Sequence, residues 1–420
     1  MTAATPADLP RSRAGAFTAL AIPLFRALWL AEFAGDLGNW MQTVGAQWVI
    51  VNHPDAVLLA AMIVAAGRLP MLVLAVPAGA LADLLDRRRL LLLSQVAQAV
   101  IATALAVESL AGQLGPVALL VYTVLLGLGS AVSVITFQSL MPQIVPVSQF
   151  SSAVAMAQVN LNIARVIGPP IGGLIVAITG PSGVFVLDAC SYVVFALVLV
   201  FAKIPEPSQV RFTGTFQRAV TEGLALIRRS IPLRRILLHS FVVTVPCSAV
   251  WALLPALASR RLDVGATGYG LLLAAVGIGS IFGVIVLPVI DQFCAAGTTL
   301  LVGNLATAAM LALLGLTDDP AAAGAALFGF GISWLVVQTR LGASIQVAAP
   351  DAARARTISV FQSVRLGGQG IGALAWGGLA QVTSVIAAFG FAAGSLAVGA
   401  FAILWWPLLP ENERDSPPLP

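Results

Sequence analysis

Glu32, Asp36, Asn39, Thr43 and Gln47 follow one another at intervals of four, three, four and four residues. On an α-helix that spacing puts all five on one face. The stretch around them is apolar, so the face carries two carboxyls into surroundings that disfavour charge. Partial burial favours the protonated form of a carboxylic acid, and such a group can exchange protons near neutral pH. Asp36 is the first candidate for a proton-exchanging residue and Glu32 the second. The competing reading is a static polar seam that glues helices together.

Arginines are the other residues with chemistry to offer. Arg68, Arg165, Arg340 and Arg365 all fall inside apolar runs. Insertion scales charge about 2.5–3.5 kcal/mol for one cation at the bilayer centre, so four cost on the order of 10 kcal/mol. That rivals the whole stability of a domain. These arginines must therefore be paired or face water. Gln158 and Asn162 share a helix face with Arg165, Gln362 and Gln369 with Arg365, and Ser333 and Ser344 with Arg340. Together with Asn39 and Thr43, the residues Gln158, Asn162, Arg165, Arg340, Gln362 and Arg365 are candidates for lining a cavity that holds a substrate. Trp40, Phe137, Trp251, Trp334 and Phe361 are candidate aromatic walls, with ordinary packing as the alternative. Glu108 and Asp188 read as snorkelling or structural residues near helix ends.

The elements that must position these groups are membrane helices. Of 420 residues, 59% are hydrophobic and 10% charged, with a mean hydropathy of +0.96. Such a balance excludes an ordinary soluble domain. A span needs about 20 mainly apolar residues, and the runs place twelve. Six are expected at residues 26–51, 56–82, 89–110, 116–140, 150–178 and 183–203. Six more are expected at 236–259, 266–290, 298–316, 321–347, 355–380 and 384–408. The division is a 1–25 segment, a first six-helix bundle over 26–203, a basic linker with an amphipathic surface helix over 204–235, a second bundle over 236–408 and a 409–420 tail.

Charge placement orients the chain. With both termini inside, the outer loops hold only Arg260 and Arg261 of the 22 lysines and arginines. Apart from the four within spans, all the others lie on the inner side, which predicts cytoplasmic termini. The two halves also echo each other: Arg165-x-x-Gly168-x-x-Ile171-Gly172 recurs as Arg365-x-x-Gly368-x-x-Ile371-Gly372. Internal repeats are characteristic of transporters that bind their cargo between halves.

Several motifs carry a family resemblance. Gly79-x-Leu81-Ala82-Asp83-x-x-Asp86-Arg87-Arg88-Arg89 resembles the loop signature of the major facilitator superfamily. Gly168-Pro169-x-x-Gly172-Gly173 resembles the antiporter signature of its twelve-helix exporters, and the acidic first helix resembles that of proton-driven drug exporters. Phe25-Arg26-Ala27-Leu28-Trp29, Gly35-Asp36-x-Gly38-x-Trp40 and Glu222-Gly223 are similar to the subgroup of enterobactin and macrolide exporters. The resemblance spans residues 20–410. It implies an all-α fold of two six-helix bundles and assigns gating to Gly79, Asp83, Arg87, Arg88, Arg89, Gly168, Pro169, Gly172 and Gly173. The second copy of the loop signature departs from the pattern, since Asp291 stands in place of Asp83 but no arginine follows it.

The resulting expectation is a secondary transporter that exports a small amphipathic compound, siderophore or drug-like, across the inner membrane by proton antiport. Its partners are that cargo, protons and the lipid bilayer, with no nucleic acid; a monomer is expected. Import of a nutrient or lipid is the first alternative. An intramembrane enzyme is the second, but it lacks a His-Glu-x-x-His or Cys–His set. The only lysine, Lys203, follows no glycine-rich phosphate loop, which excludes an ATPase. Cys190, Cys247 and Cys294 are too dispersed for a disulfide framework or metal site, and neither metal nor cofactor is expected. No cleaved signal peptide precedes the first span.

Overall fold

A computed structural model describes residues 18–202, 204, 230–350 and 354–405, with side chains for all of these except 75–84, 147, 354–356 and 402–405. The expected linker helix, most of the two terminal segments and Glu222-Gly223 lie outside the described residues. So do the side chains of Gly79 and Asp83.

The first half runs α1 (Pro23–Val49), α2 (Ala56–Leu84), α3 (Arg87–Leu110), α4 (Pro116–Ile144), α5 (Phe150–Thr179) and α6 (Pro181–Phe201). The second half runs α7 (Ile231–Arg260), α8 (Ala266–Phe293), α9 (Ala296–Leu316), α10 (Pro320–Ala348), α11 (Arg354–Val382) and α12 (Val385–Trp405). Nine of these helices are long and apolar enough, within the described residues, to cross a membrane. The described part of α12 adds a shorter apolar stretch. The other two are α1 and α11, which carry the polar stripe and the pair Arg365–Gln369.

Local sequence sets the helix ends. Pro sits in the first turn of α1, α4, α6, α7 and α10, where its missing N–H costs nothing. Asp86 caps α3 by accepting from the Arg89 backbone N–H at 2.7 Å, an N-cap worth about 1 kcal/mol. Gly180 alone joins α5 to α6 and takes φ 75°, a conformation open to glycine.

Within the first half, α1 packs on α5 and α6, α2 on α4, and α3 on both α4 and α6. The second half repeats the scheme: α7 packs on α11 and α12, α8 on α10, and α9 on both α10 and α12. Valine, leucine and phenylalanine side chains stand exposed along α3, α6, α9 and α12. That belt is what hydrocarbon solvates, because each helix satisfies its own backbone groups.

Two helix pairs carry most of the contact between the halves, α2 with α11 and α5 with α8. Both are glycine seams. A methyl on Gly173 would lie 2.4 Å from the Ala266 carbonyl oxygen, and one on Gly270 would lie 2.4 Å from that of Pro169. One on Gly377 would lie 2.2 Å from the Ala61 side chain. These contacts cluster toward the end of the molecule that carries the loops after odd-numbered helices. At the same end Arg260 donates to the His53 carbonyl at 3.1 Å and Gln381 to Asp55 at 2.9 Å. Arg261 pairs with Asp318 there. The hydrogen bond from Arg261 holds the Asp318 carboxyl below its usual range. That contact is therefore present above the ordinary carboxylate pKa and is lost only as pH falls through the depressed one.

Candidate functional site

Asp36, Asn39, Trp40 and Thr43 of α1 face a cavity of about 250 Å³ between the halves. Arg68 of α2 enters it from the same half. Ser248 and Trp251 of α7 and Gln369 of α11 close it from the other. The stripe on α1 thus lies on one face, as its spacing requires. Its last member, Gln47, is buried and crosses between the halves. The Gln47 amide donates to the Trp251 carbonyl at 3.1 Å and its oxygen accepts from the Tyr269 hydroxyl.

Three guanidiniums gather at this junction. Arg165 lies within electrostatic reach of Arg365, Arg68 and Asp36, and Arg365 within reach of Arg68. They come from α5, α11 and α2. The Arg165 guanidinium carbon sits 5.8 Å from the Trp40 ring and 5.6 Å from the Trp334 ring. One indole belongs to each half. Arg365 donates to the Gln362 side-chain oxygen at 2.9 Å. Among the described residues, no protein acceptor takes a hydrogen bond from Arg68 or Arg165. Only Arg68 of the three lines the cavity; Arg165 and Arg365, like Gln362, were expected to line it but lie off its lining, since spacing fixes a helix face and not the depth at which a side chain ends.

The fourth does not join them. Arg340 was placed among the cavity residues, but its guanidinium pairs with Asp291 at the end of α8, and it does not border the cavity. Helix-face spacing fixes direction and says nothing of depth; Arg340 lies two turns from the end of α10, at the level of Asp291. The pair also changes the reading of the second loop signature. Its arginine is supplied by α10 rather than by the loop, and Asp291 is not left alone. Gln158 is exposed and, with Asn162, lies off the cavity lining; the Asn162 amide turns back to the Gln158 carbonyl at 2.9 Å.

The gating residues separate by contact. A methyl on Gly168 would meet the Trp40 Cβ at 2.6 Å and one on Gly172 the Met41 Cα at 2.9 Å, both on α1. Gly173 alone of the three meets the second half. Arg87 donates to the Ser139 carbonyl at 2.7 Å, and Arg88 to those of Leu199 and Val200 at 3.1 and 2.9 Å. Arg88 thereby caps the carbonyl end of α6, where a cation is favoured. Trp251 stacks edge-on with Phe330 and tilts against Trp334, while Phe361 is core.

The sequence reading missed a second polar space. Glu32, Asp36, Gln95, Gln98, Ser133 and Tyr192 border a pocket of about 80 Å³ within the first half. Asp188, read as snorkelling or structural, does not snorkel: it is 1% exposed inside this half, against Gly38. Ser94, Gln95 and Gln98 formed a visible polar patch on an otherwise apolar helix, and that was the available signal.

The decisive comparison is with known sequences. Residues 14–419 match the family described as transmembrane secretion effector. The chain belongs to that family of major facilitator transporters. It is 24% identical over 408 residues to the multidrug efflux pump Tap of Mycolicibacterium fortuitum, covering 94% of this chain and 98% of that one. It is 26% identical over 404 residues to the enterobactin exporter EntS of Escherichia coli, covering 94% of each. Its fold is similar to that of the nucleoside transporter NupG (D323A mutant), with a TM-score of 0.71, 14% identity and coverage of 91% and 100%. The protein is a multi-pass membrane transporter and not an enzyme.

Arg165 gives a test of this site. Lysine keeps the charge but cannot lie flat between two indoles, and a desolvated cation–π contact is worth up to about 2 kcal/mol. Arg165→Lys should fold normally yet slow transport by about tenfold, as initial rates in everted vesicles would report for a compound that the wild type moves. Wild-type rates would mean that the two rings only pack.

Proposed function

We propose that this transporter exports a small amphipathic compound, drug-like or siderophore-like, across the inner membrane by alternating access and proton antiport. The observation that carries this reading is a cavity between the halves lined by both Asp36 and Arg68, with Arg165 within electrostatic reach of Asp36. Both termini lie in the cytoplasm on this reading, because the odd-numbered loops hold almost no positive charge. The sealed end is then the outer one, and export requires the glycine seams there to part.

Asp36 carries the coupling proton and Glu32 supports it. Antiport demands that proton and cargo exclude each other. A cargo hydroxyl or amine donating to the Asp36 carboxylate has that effect, since it stabilises the form without the proton. An acidic group competing with Asp36 for Arg165 has the opposite effect. The reading therefore favours a cargo that presents a donor to Asp36 and electron-rich oxygens to Arg68, Arg165 and Arg365. Trp40 and Trp251 cover its apolar part. The efflux names of Tap and EntS support the direction. The test is uptake into everted vesicles, with a panel of hydroxylated amphiphiles and an imposed proton gradient. Accumulation that collapses when a protonophore is added supports the reading. Accumulation only into right-side-out vesicles overturns it in favour of import.

A further inference from the structure

The space within the first half adjoins the cargo cavity, and Asp36, Asn39, Ser130, Val134 and Tyr192 border both. Its walls come from α1, α3, α4 and α6. Gln98 donates to the Ser133 hydroxyl at 2.9 Å and its oxygen accepts from Ser130 at 3.0 Å. Gln95 donates to Ser133 at 3.3 Å, and Ser94 and Ser133 share a hydrogen bond of 2.8 Å. Among the described residues, Glu32 Oε2 and Gln95 Oε1 find no protein partner here. Gln95 is only 3% exposed. A buried amide oxygen without a partner is costly unless water supplies the bond. The pocket has room for more than one water and offers each several polar groups. Phe137 and Phe195 pack edge to face at 6.1 Å where the pocket nears the even-loop end.

Few charges surround it. On α5, Arg165 faces Asp36 and the Asn160 amide lies beside Glu32. On α6 stand Asp188 and Tyr192, and Arg68 lies across the cargo cavity. Among the described residues, α3 and α4 add no titratable group to the pocket. Asp36 has one side toward the arginines and the other toward neutral, hydrogen-bonding side chains.

We propose that this pocket is a hydrated proton chamber, which passes the coupling proton between Asp36 and Glu32 beside the cargo cavity rather than through it. The inference rests on the reading of Asp36 as proton carrier and deepens it. In the transfer the O–H bond of protonated Asp36 breaks while a bridging water accepts that proton. The water releases another to the Glu32 carboxylate, where the new O–H bond forms. The pair holds one proton before and after. Gln95 Oε1 anchors the water, and the Gln98–Ser133–Ser94 bonds hold the wall. Cargo can then occupy the arginine side while the proton sits on Glu32, out of contact with it.

The test needs no cargo. Purified transporter in proteoliposomes is stepped in pH, and carboxyl protonation is followed by infrared difference spectroscopy. Glu32→Gln and Asp36→Asn assign the two bands. Gln95→Leu removes the unpartnered oxygen and leaves the stronger Gln98 bonds in place. It should slow proton exchange at Glu32 by about tenfold, equivalent to one lost hydrogen bond, with the Asp36 band unchanged. Ser133→Ala, which removes the shared partner of Ser94, Gln95 and Gln98, should slow it at least as much. Wild-type exchange at Glu32 in both variants, each with normal helicity and elution, overturns the chamber. So does a Glu32 band that never titrates. If Asp36→Asn still concentrates cargo, the antiport reading itself fails; if it does not, but Gln95→Leu is silent, only the chamber fails.

Discussion

Asp36→Asn should abolish concentrative export while leaving downhill movement of the same compound intact. Asparagine keeps the size and most hydrogen bonds of the residue but cannot cycle a proton. One pKa or pH unit corresponds to 1.36 kcal/mol, so each proton exchanged across a one-unit gradient supports about tenfold accumulation. The variant should bring that ratio to one. Everted vesicles loaded with and without a protonophore would show it: wild-type accumulation falls on addition, and the variant's does not change. The charge left behind matters as well. Without Asp36 the junction holds Arg68, Arg165 and Arg365 with no carboxylate in reach on α1 except Glu32. Cargo with acidic groups should bind the variant more tightly, and cargo that donates to Asp36 more weakly. Uphill transport at the wild-type rate in Asp36→Asn would remove this residue from the mechanism.

Much of this arrangement could be read from the sequence, for definable reasons. Periodicity revealed the α1 stripe because a helix in lipid makes every polar residue conspicuous. Arg165 and Arg365 stood out for the same reason, and their echo placed one in each half. The failures have physical causes too. Arg340 was misjudged, and Asp188 left between two roles, because spacing gives a residue's face but not the neighbour at its depth. Arg340 meets Asp291 across two helices whose sequence separation conceals the pairing. Asp188 is buried because Gly38 lets α1 approach α6. Gln95 and Gln98 stood out with Ser94 as a polar patch on α3, but they carry no charge, and their meeting with Ser133 of α4 appears only once the two helices pack. Arg68 was seen as a buried cation, yet its companions became apparent only once α2, α5 and α11 met. The glycine motif was recognised as a unit, but its members face different neighbours, which no sequence pattern separates.

That division of the glycine motif leads to the second large effect. Gly168 and Gly172 lie against α1 within their own half, whereas Gly173 lies against Ala266 of α8. A methyl at 173 would stand 2.4 Å from a backbone oxygen, which cannot rotate away as a side chain can. Relief requires α5 and α8 to separate, and on the alternating-access reading proposed above that separation opens the odd-loop end. Overpacking costs about 1–3 kcal/mol, and in Gly173→Ala the cost falls on one conformation only. The ratio of the two states should therefore shift by about 5–150-fold toward the one open at the odd-loop end. Gly270→Ala should act alike, because its methyl would meet the Pro169 carbonyl from the opposite helix. Gly168→Ala is the control. Its clash with Trp40 lies inside one half, is present in both conformations, and should lower stability without moving the equilibrium. The measurement uses a background lacking Cys190, Cys247 and Cys294, with a single cysteine at Thr43 in the cavity. An impermeant thiol reagent applied from either side then reports access. Faster labelling from the odd-loop side in Gly173→Ala and Gly270→Ala, but not in Gly168→Ala, is the expected pattern. Equal labelling in all three would mean that the seam between α5 and α8 packs the protein without gating it.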